Sequence, residues 1–113
     1  MEMETQKQGR VLVVRPLEKR LDSGNAPAFK STMVDYVFQD NLYIALDLSN
    51  IEFMDSSGLS ALLATLKTVR GRGGLVLFNV GANVAKLLSI TRLDKEVFEI
   101  HPDEQSAVQS LNS

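Results

Sequence analysis

The tetrapeptide Asp55-Ser56-Ser57-Gly58 carries the side chains with the clearest chemical potential in this sequence. It follows a short apolar segment and precedes a run of leucines with helical spacing. The first backbone N–H groups of a helix lack intrahelical partners, and the helix dipole places about half a positive charge there. An anion attached to Ser56 or Ser57 would therefore meet free donors and a favourable field. The tetrapeptide predicts a modifiable hydroxyl at a helix start.

A structural role for the same residues is the commoner alternative. Aspartate and serine are preferred at helix N-caps, where the side-chain oxygen accepts a hydrogen bond from a backbone N–H of the first turn. Gly58 has no side chain to crowd the backbone beside the serines. Local chemistry alone leaves both alternatives open: helix capping, or a serine that is phosphorylated or binds an anion.

Catalysis and metal binding have little support in the sequence. The chain has no cysteine and one histidine, His101, so thiolate chemistry is excluded and no metal-ligand spacing is visible. No Gly-x-Ser-x-Gly elbow exposes a serine nucleophile. The glycine-rich residues 71–74 lack the Lys-Ser/Thr pair of a phosphate-binding loop. We therefore expect a protein that is not an enzyme and holds no metal or cofactor.

Length, composition and charge set the broad class of the protein. The 113 residues, 44% hydrophobic and 23% charged, are typical of a single globular domain over residues 1–113. The net charge of −2 and the scattered basic residues disfavour nucleic-acid binding. Apolar runs are too short to span a bilayer, and the acidic start at Met1 does not resemble a signal peptide. We expect a cytosolic protein that binds neither nucleic acid nor membrane.

Strand and helix patterns alternate along the chain. Apolar runs predict strands at residues 11–14, 43–48, 75–80 and 97–100, and residues 1–6 are expected to add an antiparallel edge strand. Apolar residues at helical spacing predict helices that contain residues 29–37, 59–69, 84–88 and 107–111. This alternation is typical of an α/β domain, with a mainly parallel mixed sheet of about four or five strands packed against about four helices.

Helix ends are marked by particular residue types. Asp22 or Ser23 is predicted to cap the helix over residues 29–37, with Pro27 in its first turn. The basic and glycine residues at 70–74 are predicted to end the helix over residues 59–69, because basic residues suit the negative end of the dipole and glycine adopts the left-handed cap conformation. The loop that enters this second helix is expected at the carboxyl edge of the sheet, where α/β proteins usually meet ligands and partners.

A long segment of the sequence resembles a known family. Leu46-Asp-Leu-Ser-Asn-Ile-Glu-Phe-Met-Asp-Ser-Ser-Gly-Leu59 closely resembles the core motif of STAS domains, and specifically of bacterial anti-sigma-factor antagonists. Other blocks follow in the expected order: Leu21-Asp22 before Asn25-Ala-Pro-Ala28, the Gly73-Gly74 pair, and Leu87-Leu88-Ser-Ile-Thr-Arg-Leu93. The resemblance covers nearly the whole chain and implies a single STAS-like domain.

The resemblance implies a partner switch. Ser56, the first serine after the aspartate, would be phosphorylated by an anti-sigma factor that is also a serine kinase with a GHKL-type ATPase domain. The unmodified antagonist binds that kinase and releases the sigma factor, the phosphorylated form dissociates, and a PP2C-type phosphatase resets it. The residues expected to meet the kinase are Arg20, Asp22, Ser23, Asp55, Ser56, Ser57, Gly58 and Leu59.

Two positions depart from the family pattern. A glycine is usual shortly before Leu21, but residues 17–20 read Leu-Glu-Lys-Arg. Arg92 stands where a glycine usually precedes Leu93. The resemblance places Arg20 near Ser56, so the first departure bears on which partner is bound.

A second function fits the same resemblance. The chain could be a STAS accessory subunit of a lipid or anion transporter, with no phosphate cycle. Its serines would then be helix caps, and the helix from Leu59 onward would be the docking face. A nucleotide site at this loop is disfavoured, because no phosphate-loop lysine is present and Asp55 would repel a polyphosphate. ATP is therefore expected to belong to the partner.

Overall fold

A computed structural model describes all 113 residues, Met1–Ser113. Its strands are β1 (Met3–Gln8), β2 (Val11–Pro16), β3 (Arg20–Leu21), β4 (Tyr43–Asp47), β5 (Phe53–Met54), β6 (Gly74–Phe78) and β7 (Glu99–His101). Five of them form the main sheet in the order β1-β2-β4-β6-β7, and β3 pairs with β5 in a separate small sheet. Only β1 is antiparallel to its neighbour. The predicted mainly parallel mixed sheet and its antiparallel edge strand are confirmed.

Five helices accompany the strands. They are α1 (Ala26–Phe38), α2 (Ser56–Val69), α3 (Ala82–Ile90), α4 (Leu93–Glu96) and α5 (Glu104–Asn112). The four predicted helices correspond to α1, α2, α3 and α5. The additional helix, α4, is a single turn of four residues, too short to produce an apolar period in the sequence. None of the helices has the length and apolarity needed to cross a membrane.

The sheet separates two apolar layers. Successive side chains of a strand point to opposite faces, so neighbours along a central strand enter different layers. Ile44 and Leu46 of β4 belong to a 21-residue cluster that includes Phe29 of α1 and Leu62 of α2. Ala45, between them, belongs to an eight-residue cluster with the apolar side of α5. The helices α1 and α2 therefore pack on one face of the sheet, and α5 covers the other.

Two turn positions adopt the left-handed conformation that the sequence marks for glycine. Gly71, just after α2, has φ +83°, as the predicted glycine cap requires. Arg92 also adopts it, with φ 62° and ψ 17°, and it forms the N-cap of α4. This conformation costs an L-residue about 1–2 kcal/mol relative to the right-handed one. The replacement of the usual glycine by Arg92 therefore leaves a strained residue without changing the turn.

Candidate functional site

The small β3–β5 sheet brings two loop segments together at the start of α2. Its parallel register pairs Arg20 with Phe53 and Leu21 with Met54. The chain leaves both strands in the same direction, so residues 22–25 and the start of α2 emerge side by side. The Asp55 N–H donates to the Leu21 carbonyl oxygen across this junction, at 3.3 Å.

The Asp55 carboxylate joins these two segments. Its Oδ1 accepts hydrogen bonds from the N–H groups of Ser57 at 2.9 Å and Gly58 at 3.1 Å. Its Oδ2 accepts from the N–H of Ser23, at 3.3 Å, in the other segment. Asp55 is thus the N-cap of α2, and the same carboxylate fixes the neighbouring loop against the helix start.

This capping changes what an anion on Ser56 would meet. The amides of Ser57 and Gly58 already donate to Asp55, so the expectation of free donors at the helix start is wrong for both of them. A phosphate on Ser56 would instead stand beside the Asp55 carboxylate. The helix dipole stabilises an exposed anion by only about 0.3–1 kcal/mol. The fold therefore offers little attraction for a phosphate at this position.

The two serines of the tetrapeptide differ in exposure. Ser56 is the first residue of α2, its side chain is exposed, and its hydroxyl makes no hydrogen bond within the chain. Ser57 is half-buried. Ser56 therefore presents a free nucleophilic hydroxyl to solvent, and an approaching enzyme or partner can reach it without any change in the fold.

The loop before α1 is held together by hydrogen bonds from its own side chains. Asn25, and not Asp22 or Ser23, is the N-cap residue of α1, so that predicted cap is wrong. The Asn25 side chain accepts from the Asp22 N–H at 2.9 Å and donates to the Arg20 carbonyl at 2.7 Å. Asp22 in turn accepts from the Gly24 N–H at 3.0 Å. These local bonds explain why Asp22 is not available to cap the helix, and they hold the loop in one conformation.

Arg20 forms the charged rim of this region. Its Nε lies 3.2 Å from Asp22 Oδ2, and its guanidinium stacks 4.3 Å from the centroid of the Phe53 ring. The pair with Asp22 is exposed, and exposed pairs contribute at most about 1 kcal/mol. The two contacts orient Arg20 next to Asp22 while leaving its charge open to solvent.

Gly58 and Leu59 lie beneath the surface and support it. A Cβ on Gly58 would lie 2.5 Å from the Leu21 carbonyl oxygen and 2.8 Å from Met54 Cγ. The absence of a side chain at Gly58 is therefore required, because α2 starts in direct contact with β3 there. Leu59 is 8% exposed and packs in the main core. We call the remaining six predicted residues the Ser56 surface: Arg20, Asp22, Ser23, Asp55, Ser56 and Ser57.

Other polar residues do not join this surface. The His101 Nε2 lies 2.6 Å from Glu99 Oε2, on β7. Asp47 is buried at the end of β4, where its Oδ1 accepts from the Ser49 N–H at 2.9 Å. No group of three or more His, Cys, Asp or Glu side chains is arranged to hold a metal ion.

Replacing Asp55 with alanine is expected to lower the free energy of unfolding by about 1–2 kcal/mol, the range for loss of an N-cap side chain. Asp55→Asn is the matched variant, because its amide oxygen can still accept from Ser57 and Gly58 while its NH₂ group cannot accept from the Ser23 N–H. Urea unfolding measures both. We expect Asp55→Asn to retain most of the stability, and equal losses in the two variants would contradict the capping role.

Comparisons with known proteins agree with this architecture. The model of the STAS domain family matches residues 2–107. An anti-sigma F factor antagonist from Paenibacillus polymyxa is 32% identical over 103 residues, which cover 89% of this chain and 86% of that protein. An anti-sigma-B factor antagonist from Listeria monocytogenes is 31% identical over 81 residues, or 71% of this chain and 70% of that one. The crystal structure of an anti-sigma factor antagonist from Mycobacterium paratuberculosis superposes with a TM-score of 0.88 at 25% identity, covering 99% of this chain and 94% of that one.

Proposed function

The chain belongs to the STAS domain family, and from this premise we propose that it is an anti-sigma-factor antagonist controlled by phosphorylation of Ser56. In the unmodified state the Ser56 surface binds an anti-sigma factor that is also a GHKL-type serine kinase, which then releases its sigma factor. The kinase transfers the γ-phosphoryl group of its own ATP to the Ser56 hydroxyl oxygen, ADP is the leaving group, and the hydroxyl proton is released. The modified protein dissociates, and a PP2C-type phosphatase hydrolyses the phosphoserine to restore the first state.

The free hydroxyl of Ser56 is the single observation that carries this proposal. It stands exposed at the first position of α2, with the Asp55 cap beside it occupied by other donors. The loop that carries Asp22 and Ser23 is fixed against the same helix start. A loop that is already held by such hydrogen bonds loses little conformational entropy when a partner docks. The names of the relatives support the same class of partner.

The phosphate acts at the interface and not on the fold. A phosphoserine adds roughly −1.5 to −2 charges at neutral pH. Docking of the kinase would remove water from this charge beside the Asp55 carboxylate, and burial of an unpaired charge costs several kcal/mol. A loss of about 1.4 kcal/mol already lowers affinity tenfold. Dissociation therefore follows without any rearrangement of the domain.

Incubation with the serine kinase of the source organism and ATP is expected to add one phosphate to this protein. Mass spectrometry of the intact chain measures the gain, and peptide mapping places it. Ser56→Ala should abolish the gain. Ser57→Ala is the matched control and should still accept the phosphate, because the half-buried Ser57 is not the proposed acceptor.

Treatment of the product with a PP2C-type phosphatase should return both the original mass and the affinity for the kinase. A phosphate that maps to Ser57, or a chain that never gains one, would contradict the proposed switch. The second outcome would favour the alternative of a fixed transporter subunit.

A further inference from the structure

A groove lies between the first turns of α1 and α2, directly beside the Ser56 surface. It encloses about 390 Å³, and its floor contains Ala26 and Ala61, both nearly inaccessible to solvent. Ser57 and Ser60 line it from α2, and Ser23 and Lys30 line it from the other side. Since Ser23 and Ser57 belong to both features, a partner that covers the Ser56 surface also covers the mouth of this groove.

The polar groups of the groove have no partners within the chain. None of the ion pairs of the protein involves Lys30. The hydroxyls of Ser23, Ser57 and Ser60 make no hydrogen bond to another residue. Neither carboxylate of the Ser56 surface is ion-paired with Lys30: Asp55 accepts from three backbone N–H groups, and Asp22 accepts from Arg20 and Gly24. The groove therefore presents one ammonium group without an ion-pair partner and three free hydroxyl donors.

We propose that this groove receives an acidic side chain of the kinase partner, which pairs with Lys30; this inference rests on the proposed function. A carboxylate offers only acceptors, so it matches an ammonium group and hydroxyl donors at once. Charge-assisted hydrogen bonds of this kind are about twice as strong as neutral ones. A basic or neutral side chain would leave the Lys30 charge unpaired when water is expelled. The groove would thus favour a partner with an acidic side chain at this position, independently of the contact that the partner makes with the Ser56 hydroxyl.

Charge reversal and filling of the groove test this assignment independently. We would titrate variants into the purified anti-sigma-factor kinase of the source organism and measure affinity by calorimetry at low and high salt. Lys30→Glu is expected to weaken binding by about tenfold or more, because it places like charges together. Lys30→Arg should stay within about threefold of the wild type, since it keeps the charge. Ser60→Tyr, which fills the groove without changing charge, should weaken binding to a similar extent as Lys30→Glu.

Lys67→Glu is the matched control, because Lys67 is exposed in the last turn of the same helix, α2. It makes the same change in net charge and should leave the affinity nearly unaltered. Thermal unfolding of every variant checks that the fold is retained. Equal affinities of Lys30→Glu and Lys67→Glu at low salt would overturn the assignment.

The same titrations separate this inference from the proposed function. If Ser56→Asp abolishes binding while Lys30→Glu and Ser60→Tyr bind as the wild type does, the groove assignment fails and the switch stands. If the wild type does not bind the kinase, both fail. If Lys30→Glu changes only the melting temperature of the phosphorylated chain, the groove holds the chain's own phosphate, which also overturns the assignment.

Discussion

Substitution of Ser56 by aspartate is expected to weaken binding of the anti-sigma-factor kinase by about a hundredfold or more, equivalent to about 2.7 kcal/mol. The introduced carboxylate would be buried in the interface beside the like charge of Asp55, and burial of a charge is costly. The melting temperature should change little. At the first position of α2 the helix dipole favours an anion by about 0.3–1 kcal/mol, which offsets repulsion from Asp55. Calorimetric titration and thermal unfolding measure the two effects.

Two control variants separate charge from shape and position. Ser56→Asn has nearly the same size as Ser56→Asp without the charge, and it should lose much less affinity. Ser89→Asp places the same charge on an exposed position of α3 and should bind as the wild type does. If Ser56→Asp and the wild type bound equally well, the electrostatic switch would be refuted.

Replacement of Gly58 by alanine is expected to lower the free energy of unfolding by about 2 kcal/mol or more, because the position becomes overpacked. The new Cβ would lie 2.5 Å from the backbone oxygen of Leu21, which cannot move without displacing β3. Alanine favours a helix over glycine by about 1 kcal/mol, so any net loss reflects a larger steric cost. Because the Leu21 carbonyl also accepts the Asp55 N–H, we expect the affinity for the kinase to fall as well.

Gly81→Ala is the control for this substitution, because a Cβ at Gly81 would have its nearest neighbour 3.9 Å away. As the N-cap of α3, Gly81 should lose less than about 1 kcal/mol when changed to alanine. Urea unfolding compares the two variants, and similar values for both would show that the start of α2 is free to move away from β3.

The sequence was sufficient for features that depend on local pattern. The central strand around Ile44 and the leucine-rich α2 have strong apolar periodicity, and both were placed correctly. The cap at Asp55 was among the predicted alternatives, because aspartate before a helix has a local physical role. The antiparallel edge strand, predicted at residues 1–6, lies at Met3–Gln8 and pairs with β2.

Features that depend on distant contacts were not accessible in this way. The β3–β5 sheet has only two residues in each strand, too few to produce an alternating pattern in the sequence, and it forms through pairing of segments that are distant along the chain. The crowding at Gly58 comes from Leu21, 37 positions earlier in the sequence, and no local pattern signals it. The N-cap of α1 moved to Asn25 because Asp22 bonds within its own loop. At each of these positions, the local sequence is compatible with more than one conformation, and contacts made in the folded chain determine which one forms.

The two roles of Asp55, as cap of α2 and as acceptor for the Ser23 N–H, bear on how long a phosphate on Ser56 would last under the proposed function. Since its carboxylate already accepts from the Ser57 and Gly58 amides, these two donors would not hold the phosphoryl oxygens after transfer. The ester would remain accessible to hydrolysis from outside, and its persistence would depend on the relative abundance of the kinase and the phosphatase. The fraction of the protein that is phosphorylated would therefore be set by the activities of the kinase and the phosphatase, and the fold itself would not prolong the phosphorylated state.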